Sequence, residues 1–277
     1  MTVYPLTFTI LGLEITGFGI MMMTGFLAAG WVMHRELTRR RLNVEYAADI
    51  IVAGVVGGIL GARLWYIALN GGPLLSRGGL VWYGGFLGGA AAVLAQSWWK
   101  RVPMRFTLEL SAPALALGHG LGRLGCFLVQ DDYGLPTDLP WGMRFPEGIP
   151  PTTGQGLASL GITPPAGTQP FEVLAVHPTQ LYEVAALILA FTILWRARRH
   201  AHAVGWLFAG YLVLIGVERF LIELIRAKDD RLLGPFTLAQ AMSIGLVALG
   251  ALLMWQWWRN DGVTVTAVGA LKPPAEA

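Results

Sequence analysis

An all-α, polytopic membrane protein with about seven transmembrane helices and a small outer cap is the fold class this sequence predicts. Three observations lead there. Of its 277 residues, 55% are hydrophobic and 13% charged, with a mean hydropathy of +0.56, outside the usual range of soluble domains. Seven apolar stretches, each near the roughly 20 residues that cross the hydrocarbon core, run approximately over 15–33, 46–68, 80–99, 107–129, 178–195, 204–225 and 238–258. The cations flanking them fall mainly on alternate loops.

Arg35, Arg39, Arg40 and Arg41 follow the first stretch, and Lys100, Arg101 and Arg105 the third. Arg196, Arg198 and Arg199 follow the fifth, and Arg259 and Lys272 the seventh, making twelve cations on one side. The opposite loops hold four, Arg77, Arg144, Lys228 and Arg231. Lys and Arg accumulate in cytoplasmic loops, so the N-terminus is expected outside and the C-terminus in the cytoplasm. No basic region or small-residue cleavage site precedes the first apolar run, so a removable signal peptide is not expected.

Stretches two to four carry glycines at four-residue spacing, Gly54/Gly58, Gly57/Gly61, Gly84/Gly88, Gly85/Gly89 and Gly118/Gly122, which let helix backbones approach closely. The segment of about 130–177 differs in kind. It is rich in Pro and Gly and holds Trp141, Phe145 and Phe171, which points to an ordered outer cap. Residues 1–259 are expected to form one transmembrane domain and 260–277 a cytoplasmic tail.

The single cysteine and the lack of CxxC or HxxxH spacing offer no disulfide framework and no metal site. The formal charge of +3 sits in short clusters beside apolar segments, a topology signal and not a nucleic-acid surface. No cofactor is expected.

Four arginines fall within the apolar stretches or at their outer ends: Arg63, Arg123, Arg219 and Arg226. An arginine deep in a membrane costs roughly 2.5–3.5 kcal/mol on insertion scales and by default marks a site or an ion pair. Arg63 and Arg226 admit interfacial anchoring as well as function. Arg123 and Arg219 are deeper, with apolar neighbours on both sides.

Glu218, Arg219, Glu223 and Arg226 follow helical spacings that allow Arg219 to pair with Glu223, and Glu223 with Arg226. Such a pair leaves guanidinium donors for a phosphate. His119 stands a turn before Arg123 and is either a general base or a hydrogen-bonded core histidine. Cys126, a turn after Arg123, suits a small core residue better than a nucleophile. Asp131 and Asp132 stand where the apolar run stops. Tyr83, between glycines near the start of the third stretch, belongs either to an interfacial aromatic belt or to a ligand site. In His177-Pro-Thr-Gln-Leu-Tyr-Glu183, Thr179 could cap the fifth helix, while Gln180, Tyr182 and Glu183 include groups costly to place in lipid.

Gly122-Arg-Leu-Gly-Cys-Phe-Leu-Val-Gln-Asp-Asp-Tyr-Gly134 resembles the signature of the prolipoprotein diacylglyceryl transferase family, and the 177–183 motif resembles its second motif. The resemblance extends over most of residues 15–258. It implies a bacterial inner-membrane enzyme of lipoprotein biosynthesis. Such an enzyme moves the diacylglyceryl group of phosphatidylglycerol onto the lipobox cysteine of a prolipoprotein, at its signal-peptide region, and releases glycerol phosphate at the outer leaflet. Arg123 and Arg219 would bind the headgroup, with Glu223, Arg226, Gly134, Gln180 and Glu183 around it, and Tyr83, His119, Asp131 and Asp132 are the catalytic candidates. Familiar members have histidine in place of Tyr83, asparagine in place of Cys126, tyrosine in place of Phe18 and glutamate near Asp131. The rival readings are a related transferase with another phospholipid or acceptor, and a non-catalytic lipid-binding protein or transporter.

Overall fold

The computed structural model describes residues 1–10, 12–73, 81–200, 202–228, 231–233, 236–259 and 268–272. The expected start of the third stretch, including Arg77 and Gly78 to Leu80, and most of the expected tail lie outside these residues. Seven long helices occupy the seven apolar stretches: α1 (Gly17–Arg39), α2 (Glu45–Asn70), α3 (Trp82–Trp99), α4 (Met104–Val129), α6 (Thr179–Ala197), α7 (Trp206–Glu223) and α8 (Leu238–Arg259), with a short α5 (Gly154–Ser159) in the long connection. Of these, α1, α2, α4, α6 and α8 are long and apolar enough to cross a membrane. Three charged residues, Glu218, Arg219 and Glu223, interrupt α7, and α3 begins and ends in Trp with Tyr, Gln and Ser among its residues. The chain is an all-α polytopic membrane protein.

Two small hairpins accompany the helices, β1 (Thr7–Ile10) with β2 (Leu13–Thr16), and β3 (Arg231–Leu233) with β4 (Phe236–Thr237), both antiparallel. Their residues alternate too briefly to stand out in the sequence. Thr16 then caps α1, its hydroxyl accepting from Gly19 N at 3.2 Å.

Glycine spacing does what its period suggests between α2 and α3. A Cβ on Gly61 would meet the Gly84 carbonyl and one on Gly88 the Gly57 carbonyl, so the two backbones touch. Gly25 and Gly118 serve α1 and α4 likewise, the Gly118 carbonyl lying 3.2 Å from where a Gly25 Cβ would stand. Gly122 does not follow suit, for its missing Cβ faces open space beside Arg123.

At the end of the bundle that holds the cation-rich loops, Leu37, Tyr46, Phe106 and Leu271 share one buried core. The short 3-10 helix Gly269–Leu271 is bound there, Asn43 N donating to Leu271 O at 3.1 Å and Ala270 N to Lys100 O at 3.0 Å. At the other end, the connection from α4 to α6 folds around Tyr133, Phe145, Leu157 and Val176. Met143 and Val176 exchange both backbone hydrogen bonds.

Candidate functional site

Where α4 stops is decided by Gln130. It takes the left-handed conformation at φ 63°, its N–H reaches the Phe127 carbonyl at 3.2 Å, and its buried side chain donates to Val3 O at 2.8 Å. Asp132 also has positive φ, 59°, a conformation uncommon outside glycine that persists where the surroundings enforce it. The first turn of α6 supplies that enforcement: Gln180 Nε2 donates to Asp131 O at 2.5 Å and Thr179 Oγ1 to Asp132 O at 2.8 Å. Thr179 is therefore not the helix cap expected of it. Pro178 holds that position without a side-chain bond, because the threonine hydroxyl is committed to the neighbouring segment.

Gly134 passes between this turn and the end of α7. A Cβ there would lie 2.7 Å from Ile225 O and 2.8 Å from His177 Cβ, and Gly134 N donates to His177 O at 2.8 Å. Its role is close backbone packing, which fixes Asp131 and Asp132 against α6 and α7.

Onto this frame three guanidinium groups converge. Arg123 reaches Asp132 Oδ2 at 2.8 Å through Nη1 and Glu183 Oε1 at 2.5 Å through Nη2. Arg226 donates through Nη2 to the other Asp132 oxygen. Arg219 Nη2 meets Glu223 Oε2 at 2.5 Å, and its Nη1 stands 3.9 Å from Glu183 Oε1. Thr237 Oγ1 donates to Glu223 Oε1 at 3.0 Å. The result is one chain of alternating charge, Arg226, Asp132, Arg123, Glu183, Arg219, Glu223. The i, i+4 pair on α7 forms as its spacing suggests. The Glu223–Arg226 pair does not, because α7 ends at Glu223 and Arg226, beyond the helix, turns to Asp132.

The pairing is incomplete. Among the described residues, Arg123 Nε and Arg219 Nη1 are buried donors without a hydrogen-bond acceptor. Asp131 Oδ1, Gln180 Oε1, Glu183 Oε2 and both oxygens of Glu218 are buried acceptors without a donor. Native structures leave few such groups, and each asks for an explanation.

The two adjacent aspartates are pushed apart in acidity. Burial raises the Asp131 carboxyl above the ordinary carboxylate range, and the neighbouring Asp132 acts in the same direction. Burial acts on Asp132 too, but Arg226 and Arg123 outweigh it and hold that carboxyl below the ordinary range. Asp131 is thus the member of the pair suited to exchange a proton, and Asp132 the member suited to hold arginines. Cys126 Sγ and one oxygen of each aspartate lie within 4.8 Å of one another, a spacing a cation could bridge. The two guanidiniums on Asp132 already supply positive charge at that point.

The other expected residues are placed as follows. His119 lies a turn before Arg123, partly buried, with no hydrogen bond among the described residues. Cys126 is buried, its sulfur 3.6 Å from Arg123 Nη1. Tyr83 is 50% exposed on α3, and its ring meets Trp82 edge-on; no described hydrogen bond, ion pair or ring contact joins it to the arginines. Arg63 lies outside the cluster, donating to the Pro73 carbonyl and lying over the Tyr66 ring. Thr237 and Gln130 enter the site unannounced by sequence. A helix-ending glutamine could have drawn notice, but nothing local ties Thr237 to Glu223.

The profile of the family described as "Prolipoprotein diacylglyceryl transferase" matches residues 5–256. Among curated proteins, the chain is 33% identical over 262 residues to the phosphatidylglycerol–prolipoprotein diacylglyceryl transferase of Geobacter sulfurreducens, covering 89% of this chain and 92% of that one. It is 31% identical over 255 residues to the protein of that name from Clostridium tetani, covering 89% and 94%. The same name belongs to a Stenotrophomonas maltophilia relative, 31% identical over 273 residues with 90% of each chain covered.

Proposed function

The chain belongs to the prolipoprotein diacylglyceryl transferase family, and on that premise we propose that it transfers the diacylglyceryl group of phosphatidylglycerol to the cysteine thiol of a prolipoprotein. The observation that carries the reading is the convergence of Arg123, Arg219 and Arg226 around shared carboxylates, with Arg123 Nε and Arg219 Nη1 buried and unmatched. Two free guanidinium N–H groups in a largely buried setting suit a phosphate.

In the reaction the thiol gives its proton to Asp131, whose unmatched oxygen and raised pKa fit a base. The sulfur forms a bond to the glycerol carbon, and the bond from that carbon to the phosphate oxygen breaks. Its electron pair leaves on the phosphate, where Arg123 and Arg219 stabilise the added charge. Glycerol phosphate departs, and the diacylglyceryl group remains on the protein thiol as a thioether. Asp132 and Glu183 hold Arg123, Glu223 holds Arg219, and Gln180 and Gly134 hold the aspartate segment. His119 lines the α4 face beside Arg123. Tyr83, half-exposed on α3, would contact the bound lipid.

The working position is the outer leaflet of a bacterial inner membrane, with the N-terminus outside. The support is the excess of cations at the end of the bundle opposite the arginine cluster. The acceptor would be the signal-peptide region of the prolipoprotein.

The test is mass spectrometry of a lipobox peptide incubated with the purified chain and phosphatidylglycerol, beside the Arg123→Lys variant. A diacylglyceryl mass increment with the native chain and little with the variant is expected. An unmodified peptide, with an authentic relative active in parallel, would sink the assignment.

A further inference from the structure

Glu218 precedes Arg219 on α7 and is only 9% exposed, yet it takes part in none of the ion pairs that hold the arginines. Arg219 meets Glu223 and Glu183, and Arg123 meets Glu183 and Asp132. Glu218 is within electrostatic reach of Glu183, Arg123 and Arg219, and neither of its oxygens has a donor among the described residues. On the first turns of α6, Glu183 Oε2 and Gln180 Oε1 lack donors as well.

Buried acceptors left unmatched cost free energy. Four of them belong to Glu218, next to Arg219 on α7, to Glu183, which pairs with Arg123, and to Gln180, one turn before it on α6; with the two unmatched donors, Arg123 Nε and Arg219 Nη1, the unmet demand has two halves. An anion satisfies the guanidinium N–H groups but is repelled by carboxyl oxygens. The acceptors call for hydrogen-bond donors carried on the same ligand. An ammonium would stand against Arg123 and Arg219, whereas neutral hydroxyls avoid that repulsion.

We infer that Glu218, with the free oxygens of Glu183 and Gln180, accepts hydrogen bonds from the hydroxyls of the lipid headgroup beyond the phosphate, and that Glu218 thereby sets the preference for a polyol headgroup. This rests on the proposed transfer reaction for its choice of ligand. The arginines recognise the phosphate that every phospholipid shares, and Glu218 recognises what distinguishes phosphatidylglycerol from a donor with a plain alkyl headgroup.

The experiment compares phosphatidylglycerol with phosphatidylpropanol, which keeps the phosphodiester and lacks the hydroxyls, as donors for the full chain and its Glu218→Gln and Glu218→Leu variants. A site built to bond a hydroxyl discriminates strongly against the analogue without it, so the native chain should favour phosphatidylglycerol by at least about tenfold in kcat/KM. Glu218→Leu, which removes both acceptor oxygens, should lose that preference while transfer from phosphatidylpropanol is kept, which also shows that it folds, and Glu218→Gln, which keeps one acceptor, should retain part of it. Equal use of the two donors by the native chain, or an equal loss with both donors in the Leu variant, would overturn the inference. A native preference for phosphatidylethanolamine would overturn it too.

If the native chain transfers from no donor, the proposed reaction falls, and competition between the two lipids in native mass spectrometry decides the headgroup question by itself. Preferential retention of phosphatidylglycerol, abolished by Glu218→Leu, sustains the inference, and equal retention refutes it.

Discussion

Two buried ionic networks occupy the two ends of this bundle, and they differ in whether their hydrogen bonds are complete. At the cation-rich end, Glu36 Oε1 accepts from Arg39 Nη2 at 2.5 Å and Arg40 Nε at 2.6 Å, while Oε2 accepts from Arg39 Nε at 2.9 Å and Arg198 Nε at 3.1 Å. Glu109 Oε1 lies 2.5 Å from His202 Nε2, and Oε2 accepts from the backbone N–H groups of Gly205 and Leu207 at the start of α7, where a carboxylate is favoured. Among the described residues, Arg105 Nε is the lone buried unmatched side-chain atom at that end.

At the other end, the arginines of α4 and α7 share carboxylates and leave donors and acceptors open on both sides. The same residue types thus build a closed structural clamp at one end and an open network at the other, the one to which the proposed function assigns the lipid phosphate. Charge in the membrane does not by itself mark function.

That contrast is sharpest in its largest expected effect. Arg123→Lys keeps the charge and loses the fork that meets Asp132 and Glu183, so transfer should fall about 10³-fold with a much smaller change in the unfolding midpoint. At the closed end the order reverses. Glu36→Gln leaves three arginines without their shared carboxylate and should cost about 3 kcal/mol of stability, read by denaturant titration in detergent, while transfer per folded molecule stays unchanged. A large rate loss there would erase the distinction between the two ends.

Asp131→Asn tests the proton role at the open end and should lower transfer about 10²-fold. In the native chain the base works only when deprotonated. Because its pKa is raised, the rate should fall as pH drops through that raised value, and the variant should lose this acidic limb. A variant with an unaltered pH profile would move the base elsewhere.

The smallest effect is expected at His202. Its Nδ1 faces the His200 carbonyl at 2.7 Å, which can only accept, and its Nε2 faces Glu109, so the doubly protonated ring satisfies both. Burial opposes that charge, but Glu109 outweighs it and holds the histidine above its ordinary value. The contribution is therefore complete below the ordinary histidine value and lost as pH rises through the raised one. His202→Gln should remove this pH dependence, at most about 1 kcal/mol, and leave transfer intact. A stability curve with the same pH dependence in both proteins would remove His202 from the clamp.

Much of this was legible before folding. Apolar length set the seven long helices, glycine period set the α2–α3 contact, and the depth of Arg123 and Arg219 marked one end as unusual. Helical spacing also gave Arg219–Glu223, because an i, i+4 pair depends on local geometry alone. The same rule failed one step later, for Arg226, since where a helix ends depends on what its last turn packs against. The Thr179 hydroxyl was misassigned for a related reason: a local cap competes with a distant carbonyl, and only the packed chain shows which one prevails.

By itself, then, the sequence determined the class of protein, its long helices and the residues too costly to place in lipid without a purpose, because burial in hydrocarbon penalises charge residue by residue. Only the tertiary structure decided which carboxylate each arginine holds, that Asp131 and Asp132 are shifted in opposite directions, and that Glu218 is left without a donor among the described residues. Those outcomes depend on groups tens of residues apart meeting within about 3 Å, a distance that neither period nor composition encodes.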